Sequence, residues 1–211
     1  MINYLLDAEM DERYTRKIER LVRMAWFRYK ACIEDLTFDD KRNLEQNQIL
    51  RFASCDFIRR NENIIITGAT GVGKSFIASA LGHQACIKEF KVLYANMAKL
   101  LSKLKMLKAD GSYLKEITRM GKVDLLIIDD FGLQTLDSQS RLSFLEIIED
   151  RHDQKSTIIT SQMPVEQWYE IISDKTVADA ILDRLVHSSH RIEIEGESYR
   201  KRKTRKEENY V

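Results

Sequence analysis

The sequence is poor in residues that break regular structure, and it has no long apolar run. It contains one proline, Pro164, and eight glycines among its 211 residues. No stretch approaches the ~20 apolar residues that a membrane-spanning helix needs. The start, Met1-Ile2-Asn3-Tyr4, lacks the basic and apolar regions of a secretory signal. We therefore expect a cytoplasmic protein that makes no use of a membrane and has no proline-rich linker.

Cysteine is scarce, and neither sign of charge dominates. The three cysteines, Cys32, Cys55 and Cys86, are far apart, so neither a disulfide framework nor a metal site built on paired cysteines is expected. Lysine and arginine number 34 against 33 acidic residues, a formal net charge of +1. Contact with nucleic acid would therefore have to depend on local basic patches.

What the sequence does contain is a glycine-rich loop between an apolar run and a helical pattern. The loop follows Ile64-Ile65-Ile66 and reads Gly68-Ala69-Thr70-Gly71-Val72-Gly73-Lys74-Ser75. Backbone N–H groups of such a loop wrap phosphates at a helix N-terminus. Lys74 would reach the β and γ phosphates, and the Ser75 hydroxyl would bind Mg²⁺. A chance match is the alternative, but both flanking elements are those that a phosphate loop requires. The residues predicted to bind the nucleotide are Gly68, Ala69, Thr70, Gly71, Val72, Gly73, Lys74, Ser75 and Phe76.

Two acidic residues end a second apolar run, Leu125-Leu126-Ile127-Ile128. Mg²⁺ prefers oxygen ligands and keeps several waters, so Asp129 alone could complete the metal site beside the phosphates. Asp130 would then position or deprotonate the attacking water. An apolar strand that merely ends in acidic turn residues is the alternative interpretation.

Two further polar residues are candidates for catalysis. Gln162, with Ser161 as second choice, ends the apolar run before it and could reach the γ phosphate or the water; ordinary strand-end polarity is the alternative. Arg184 lies on a predicted helix, where its planar guanidinium could enter a neighbouring subunit's nucleotide site. An ion pair of Arg184 with Asp183 or Asp179 is the competing interpretation.

The order of periodicities predicts an α/β fold. A helical segment over residues 1–59 precedes a core over residues 60–196, and a basic tail occupies residues 197–211. Apolar strands alternating with helices predict a mostly parallel, five-stranded sheet covered on both faces, with ligands outside the strand carboxyl ends. The predicted strands are 63–67, 91–95, 124–129, 157–161 and 191–194. The predicted helices after the first strand are 74–88, 97–107, 138–153 and 176–187.

The helical segment before the core is strongly charged. Residues at steps of three or four predict one apolar helical face: Met10, Tyr14, Ile18, Leu21, Ala25 and Tyr29. Basic residues cover the rest of that helix: Arg13, Arg16, Lys17, Arg20, Arg23, Arg28 and Lys30. The helix could lie on DNA phosphates or on a neighbouring subunit, or it could be a solvated helix packed on the core. Trp26 and Phe27 are expected to pack rather than to stack on bases. A second helix is predicted over 47–59.

Several segments together resemble one family. They are Gly68–Ser75, Ile127–Gly132, Thr160–Gln162, Ala180–His187 and Gly196–Arg200. In this order they resemble the IstB-like ATPases, helper proteins of bacterial insertion sequences that are related to DnaC helicase loaders and DnaA initiators within the AAA+ class. The resemblance extends over about residues 10–202. It implies a three-layer P-loop NTPase fold without a C-terminal lid domain.

The resemblance also implies a function. Such proteins bind ATP and double-stranded DNA with low sequence specificity, form homo-oligomers on DNA and assist a transposase. It implies that Lys74 and Ser75 contact phosphate and Mg²⁺, that Asp129 is the metal-site carboxylate and that Asp130 activates water.

Three more residues take roles from the same resemblance. Gln162 takes the place of the residue that senses the γ phosphate, and Arg184 takes the place of the arginine that acts in trans. Arg200 is implied to contact phosphate or DNA, in a tail that could equally be a solvated terminus.

Two departures from the family pattern affect these expectations. Most AAA+ enzymes have glutamate where Asp130 stands, and the shorter arm predicts slow or partner-stimulated turnover. The segment before the basic helix is shorter than in most members, which predicts weaker contact with a transposase. A replicative helicase loader and a small-molecule P-loop kinase are the alternatives, although a kinase would need a lid and would give Arg184 no role between subunits.

Overall fold

The computed structural model describes residues 2–38 and 42–199, and from residue 9 onward it describes their side chains. Its helices and strands, in chain order, are α1 (Ile2–Ala25), α2 (Gln46–Ala53), α3 (Asp56–Arg59), β1 (Asn63–Gly68), α4 (Lys74–Ile87), β2 (Val92–Asn96), α5 (Met97–Asp110), α6 (Tyr113–Lys122), β3 (Leu125–Phe131), α7 (Ser138–Arg151), β4 (Ser156–Ser161), α8 (Trp168–Ile172), α9 (Lys175–Val186) and β5 (Ser189–Ile194). Among these residues, no helix is both long enough and apolar enough to cross a bilayer.

The five strands form one sheet in the order β2-β3-β4-β1-β5, and every pairing is parallel. Because all the strands run the same way, the carboxyl ends of β1, β3 and β4 meet at one edge. β4 lies between β3 and β1, so residues at its end can reach both neighbours. The predicted fold class, an α/β fold built on a five-stranded parallel sheet, is confirmed.

Alternate residues of the buried strands point to opposite faces of the sheet, and each face has its own core. Ile64 and Ile66 of β1 belong to a cluster formed with helices α1 to α4. Ile65 belongs to a second cluster formed with helices α5 to α9. The two helical layers and the sheet between them make the three-layer arrangement.

Among the side chains of the first helix that the structure describes, from residue 9 onward, those near the carboxyl end pack against the core. Leu21 and Ala25 of the predicted apolar face are buried, but Met10 is 68% exposed, so the core covers only part of that face. Tyr14 is also largely exposed, although its hydroxyl donates to the carbonyl of Ile87 at 2.7 Å. The helix stops at Ala25 because Trp26 has a left-handed φ of 60°. The charged side chains that the structure describes on this helix therefore lie in solvent.

Other observed elements also differ from those that the sequence pattern predicts. The helix predicted over 47–59 is two helices, because Cys55 has a left-handed φ of 63° between α2 and α3. Helices α6 and α8 were not predicted. Trp26 is 76% exposed and does not pack as expected, whereas Phe27 contacts the core. Arg200 and the basic tail that follows it lie outside the described residues.

A glycine of α4 determines how closely the segment after α1 approaches the core. A Cβ at Gly82 would lie 2.5 Å from Phe27 Cε1 and 2.7 Å from Ile127 Cδ1. We predict that Gly82→Ala lowers the free energy of unfolding by about 1–3 kcal/mol, because the core must shift to admit the methyl group. Urea unfolding followed by circular dichroism measures this difference.

Gly121 in α6 is the matched control, since a Cβ there would meet nothing closer than 3.9 Å. Gly121→Ala should leave stability unchanged or raise it by up to about 1 kcal/mol, as alanine favours a helix. Equal stability of the Gly82→Ala variant and the parent protein would contradict the packing of Phe27 on α4.

Candidate nucleotide-binding site

A cavity of about 530 Å³ lies at the carboxyl edge of the sheet, beside the glycine-rich loop. Its volume falls within the range of small-molecule sites. The loop and helix α4 form one wall, the ends of β3 and β4 form another, and residues within 28–29 and 35–37, with Arg42 and Tyr199, close it. The residues that line it are Arg28, Tyr29, Asp35, Leu36, Thr37, Arg42, Thr70, Gly71, Gly73, Lys74, Ser75, Phe76, Ile77, Asp130, Leu133, Gln162 and Tyr199.

Two glycines of the loop have no room for a side chain. Gly68 has φ +145°, and a Cβ there would lie 2.3 Å from the carbonyl oxygen of Ile194 in β5. Gly71 has φ +84°, and its Cβ would lie 2.2 Å from Ser198 Oγ. Both positions combine a left-handed backbone with close packing, so glycine is required there. Close packing against β5 and against the segment after β5 therefore fixes the backbone conformation of the loop.

Lys74 is nearly buried at the start of α4, and its side chain folds back onto the loop. Its Nζ donates to the carbonyl oxygens of Gly68 at 2.7 Å and Ala69 at 2.8 Å. Burial lowers the pKa of Lys74, and the nearby carboxylates of Asp130 and Asp129 oppose that shift. The arrangement holds one cation inside the curve of the loop, where phosphate oxygens would also bind.

The two carboxylates after Ile128 converge because β3 is irregular there. The β3–β4 register shifts between Ile128 and Phe131, and Asp130 has a left-handed φ of 61°. In a regular strand, neighbouring side chains would point to opposite faces of the sheet. The bulge redirects them, so that Oδ2 of Asp129 and Oδ2 of Asp130 lie 3.3 and 3.0 Å from the same nitrogen, Nη1 of Arg28.

Asp129 is fully buried, and the strands on both sides supply its hydrogen bonds. Thr160 of β4 donates its hydroxyl to Asp129 Oδ1 at 2.5 Å, and Tyr94 of β2 donates to Oδ2. Burial and this hydrogen bond raise the pKa of Tyr94, so the phenol remains a donor. A buried carboxylate needs such partners to remain charged.

Asp130 lies closer to the cavity and has its own partners. Asn96, the last residue of β2, donates its amide to Asp130 Oδ2 at 3.0 Å. The backbone N–H of Asp130 donates to Thr160 Oγ1 at 3.0 Å. One hydroxyl, that of Thr160, therefore orients both acidic residues.

Gln162 lies opposite the glycine-rich loop. Its Oε1 accepts a hydrogen bond from the Thr70 hydroxyl at 2.6 Å. The structure thus brings together in one cavity eight of the residues that the sequence singled out: Thr70, Gly71, Gly73, Lys74, Ser75, Phe76, Asp130 and Gln162. The buried carboxylate of Asp129 lies directly behind Asp130.

Arg184 does not join this group. It occupies the last turn of α9, where it donates to the carbonyl of Ala180 at 2.8 Å and pairs with Glu149 of α7 at 3.0 Å. The suggested partners Asp183 and Asp179 are therefore wrong. Helix α9 ends just before Ser189, which pairs with Asn63 at the start of β1. Strand β1 has six residues, so it is about 20 Å long, and the glycine-rich loop follows its other end. Arg184 therefore lies near the end of β1 that is opposite the loop.

Three residues that the sequence did not single out as nucleotide contacts close the cavity. Arg28 contacts the carboxylates, as described above. Arg42 is 4% exposed and donates to the carbonyl oxygens of Thr37, at 2.7 Å, and of Val72. The guanidinium of Arg42 also lies 4.5 Å from the ring centre of Tyr199, whose backbone N–H donates to the Gly71 carbonyl at 3.0 Å. Of these three, only Tyr199 lies in a segment that resembles the family, Gly196–Arg200.

We predict that Thr160→Val, which keeps the side-chain shape, lowers the free energy of unfolding by about 1–3 kcal/mol. The variant removes the donor to Asp129 and the acceptor for the Asp130 N–H. Thr118→Val is the control, because its exposed hydroxyl bonds only within α6, to Leu114. Urea unfolding of both variants tests this, and a loss no larger at Thr160 than at Thr118 would count against its role.

Comparison with known proteins shows the family to which the chain belongs. The model of the family described as IstB-like ATP binding protein matches residues 1–207. The chain is 44% identical over 205 residues to y4pL of Sinorhizobium fredii, which is named as an insertion-sequence ATP-binding protein. That alignment covers 97% of this chain and 84% of the relative.

Solved structures share the fold at low sequence identity. DnaI is 22% identical with a TM-score of 0.66, and the match covers 80% of this chain and 90% of DnaI. AMPPCP-bound DnaA from Aquifex aeolicus is 18% identical with a TM-score of 0.66, and the match covers 87% of this chain and 56% of DnaA. With a phosphate-type loop, a parallel sheet of this order and a family match over nearly its whole length, the chain belongs to the IstB-like ATP-binding proteins and has the AAA+ P-loop fold.

Proposed function

We propose that this chain is a Mg²⁺-dependent ATPase that binds double-stranded DNA, assembles into a homo-oligomer and assists a transposase. The observation that carries the proposal is the meeting of a glycine-rich loop, a carboxylate pair and Gln162 at the adjoining ends of β1, β3 and β4. Membership of an ATP-binding family supports the choice of nucleotide.

The triphosphate would lie along the loop, where backbone N–H groups and the N-terminus of α4 favour negative charge. Lys74 would then exchange the carbonyls of Gly68 and Ala69 for phosphate oxygens. Three aromatic side chains, Tyr29, Phe76 and Tyr199, line the same cavity and offer apolar surface for the base.

The donor set fits Mg²⁺, which prefers oxygen ligands and keeps part of its water shell. The Ser75 hydroxyl and the Asp129 carboxylate would hold the ion. The pair of carboxylates already accommodates positive charge, because Arg28 Nη1 lies within 3.3 Å of both. When bound, the ion would neutralise charge on the phosphates.

Asp130 and Gln162 would act on the attacking water. The Asp130 carboxylate borders the cavity and is held by Asn96, so its remaining lone pairs can orient a water or accept its proton. Gln162 approaches the loop from the other side through Thr70, where it would contact the γ phosphate or the same water. Aspartate has a shorter arm than glutamate, which favours slow turnover.

Arg184 would act on the nucleotide of a neighbouring subunit. Its helix ends near the opposite edge of the sheet from the glycine-rich loop, so it cannot serve the site of its own chain without a large movement. The side chain is 28% exposed and is held by a hydrogen bond to the Ala180 carbonyl and an ion pair with Glu149; a neighbouring phosphate could replace the ion pair. A repeated head-to-tail contact between copies would bring each arginine to the next site.

The transposition role rests on the relatives, whose names place them in insertion sequences. A helicase loader is the second candidate, since DnaI and DnaC share the fold, but at 22% identity that likeness concerns the fold alone. The exposed basic residues of α1 are the surface that we propose for DNA.

We predict that Lys74→Ala abolishes tight ATP binding and that Asp130→Asn retains binding but stops hydrolysis.

Arg184→Ala should also bind ATP without hydrolysing it. An equal mixture of Asp130→Asn and Arg184→Ala should regain about a quarter of the parental turnover, because random head-to-tail contacts unite an intact site with an intact arginine. Binding of a fluorescent ATP analogue measures the affinity of each variant, and phosphate release in the presence of DNA measures the turnover of each variant and of the mixture.

Glu149→Gln is the control for Arg184, since it removes the ion pair and leaves the arginine. This variant should hydrolyse ATP at least as fast as the parent protein. Parental turnover in Arg184→Ala alone, or a mixture that stays inactive although both variants assemble, would refute the action in trans.

We predict that replacing Arg20 and Arg23 of α1 by glutamine weakens binding to duplex DNA. The slope of log affinity against log salt should fall by about 2, because each phosphate contact releases counterions. Fluorescence anisotropy over a salt series measures this slope. Lys115→Gln with Lys122→Gln on α6 is the control, which removes two exposed charges from the other face of the sheet. An equal or larger effect of the control would place the DNA elsewhere.

A further inference from the structure

The segment after α1 alternates between the core and the surface. Phe27 packs edge-on to Tyr94, with ring centres 6.5 Å apart, and lies over Gly82 of α4. Tyr29 contacts Phe76, with ring centres 6.0 Å apart. Trp26 points outward and is 76% exposed. Two aromatic anchors therefore fix the backbone on either side of Arg28.

Between these anchors, Arg28 reaches the end of β3. Its Nη1 donates to Asp130 Oδ2 at 3.0 Å and to Asp129 Oδ2 at 3.3 Å. These partners are 102 and 101 residues away along the chain, so the contact joins the end of α1 to the catalytic edge of the sheet. The arginine side chain is 42% exposed, whereas Asp129 is fully buried. The arginine can therefore leave into solvent, but the carboxylate cannot.

We propose that Arg28 is a positioning residue whose guanidinium competes with Mg²⁺ for the carboxylates of Asp129 and Asp130. The inference rests on the proposed function, because it concerns the metal of that same site. A guanidinium between the two carboxylates relieves their mutual repulsion. A divalent cation bound to Asp129 would repel Arg28 at this distance, so the two cations exclude each other.

The exclusion has a consequence for the N-terminal helix. When metal and nucleotide bind, Arg28 must turn away from the carboxylates, and we expect the exposed Trp26 to report the change because it lines one surface pocket together with Arg28 and Asp130. Linkage then works in both directions: a partner that moves the segment after α1 changes the affinity of the site for metal by the same factor. Arg28 would thus couple α1 to the nucleotide.

Binding of a fluorescent ATP analogue, mant-ATP, at increasing Mg²⁺ tests the competition without measuring hydrolysis. In Arg28→Gln, the Mg²⁺ concentration that gives half-maximal mant-ATP binding should fall about five-fold or more. A factor of about five is the lower end of the usual range by which one bound group changes the affinity for another. Arg28→Lys should stay closer to the parent protein, because an ammonium group can replace a single contacting nitrogen. Lys30→Gln is the matched control: it removes one exposed charge from the same segment and should leave the midpoint unchanged.

Tryptophan fluorescence gives a second measurement. The chain has two tryptophans, and Trp168 is fully buried in the other core. Mg²⁺ with ATP should change the emission of the parent protein, and Trp26→Phe should abolish that change. In Arg28→Gln, the emission before addition should already resemble that of the loaded parent protein.

The outcomes separate the two proposals. If the parent protein fails to bind mant-ATP at any Mg²⁺ concentration, the proposed function fails and the role of Arg28 fails with it. If the parent protein binds and hydrolyses ATP but the Mg²⁺ midpoint of folded Arg28→Gln is unchanged or higher, only the competition is overturned. If urea titrations show that Arg28→Gln does not fold, the test depends on Arg28→Lys and on the emission of Trp26 in the parent protein. If that emission does not change when Mg²⁺ and ATP are added, the inference is overturned.

Discussion

The burial of one carboxylate at the end of β3 imposes the strongest constraint on this structure. Asp129 has no exposed surface, and a charged group in that position is costly unless donors surround it. The donors come from three separate parts of the chain: Tyr94 in β2, Thr160 in β4 and Arg28 after α1. These three contacts form only when β3 lies between these two strands and the N-terminal segment covers the edge. Its hydrogen bonds therefore link the strand order to the chemistry of the site.

A local irregularity completes what the strand order begins. In an unbroken strand, Asp129 and Asp130 would serve opposite faces of the sheet, and one of them would be lost to the site. The left-handed backbone at Asp130 avoids this, at the conformational cost that a non-glycine residue incurs there. Strain of this kind persists only where surrounding contacts hold it, and the N–H bond to Thr160 and the amide of Asn96 supply them.

How far the sequence predicts this molecule depends on whether a feature is local. The glycine-rich loop, the apolar strands and α4 follow from spacing within a few residues, and the parallel sheet follows from their alternation. Helix α6 was missed because Gly111 and Gly121 frame a short, charged stretch, and Cys55 splits a helix with no glycine or proline as a signal. Arg28 was assigned to a basic helix surface, because nothing within its own neighbourhood reveals carboxylates about a hundred residues away.

The conformation of the glycine-rich loop is likewise not a property of its motif alone. Arg42 holds the Val72 carbonyl from one side, and the Tyr199 N–H holds the Gly71 carbonyl from the other. The guanidinium and the ring also contact each other, so segments that lie before and after the core in sequence meet over the glycine-rich loop. Residues of α1 and α2 share one hydrophobic cluster with β1 and α4. The predicted helical segment 1–59 and the predicted core therefore share one hydrophobic cluster across residue 59, so the N-terminal helix packs on the same elements that carry the glycine-rich loop.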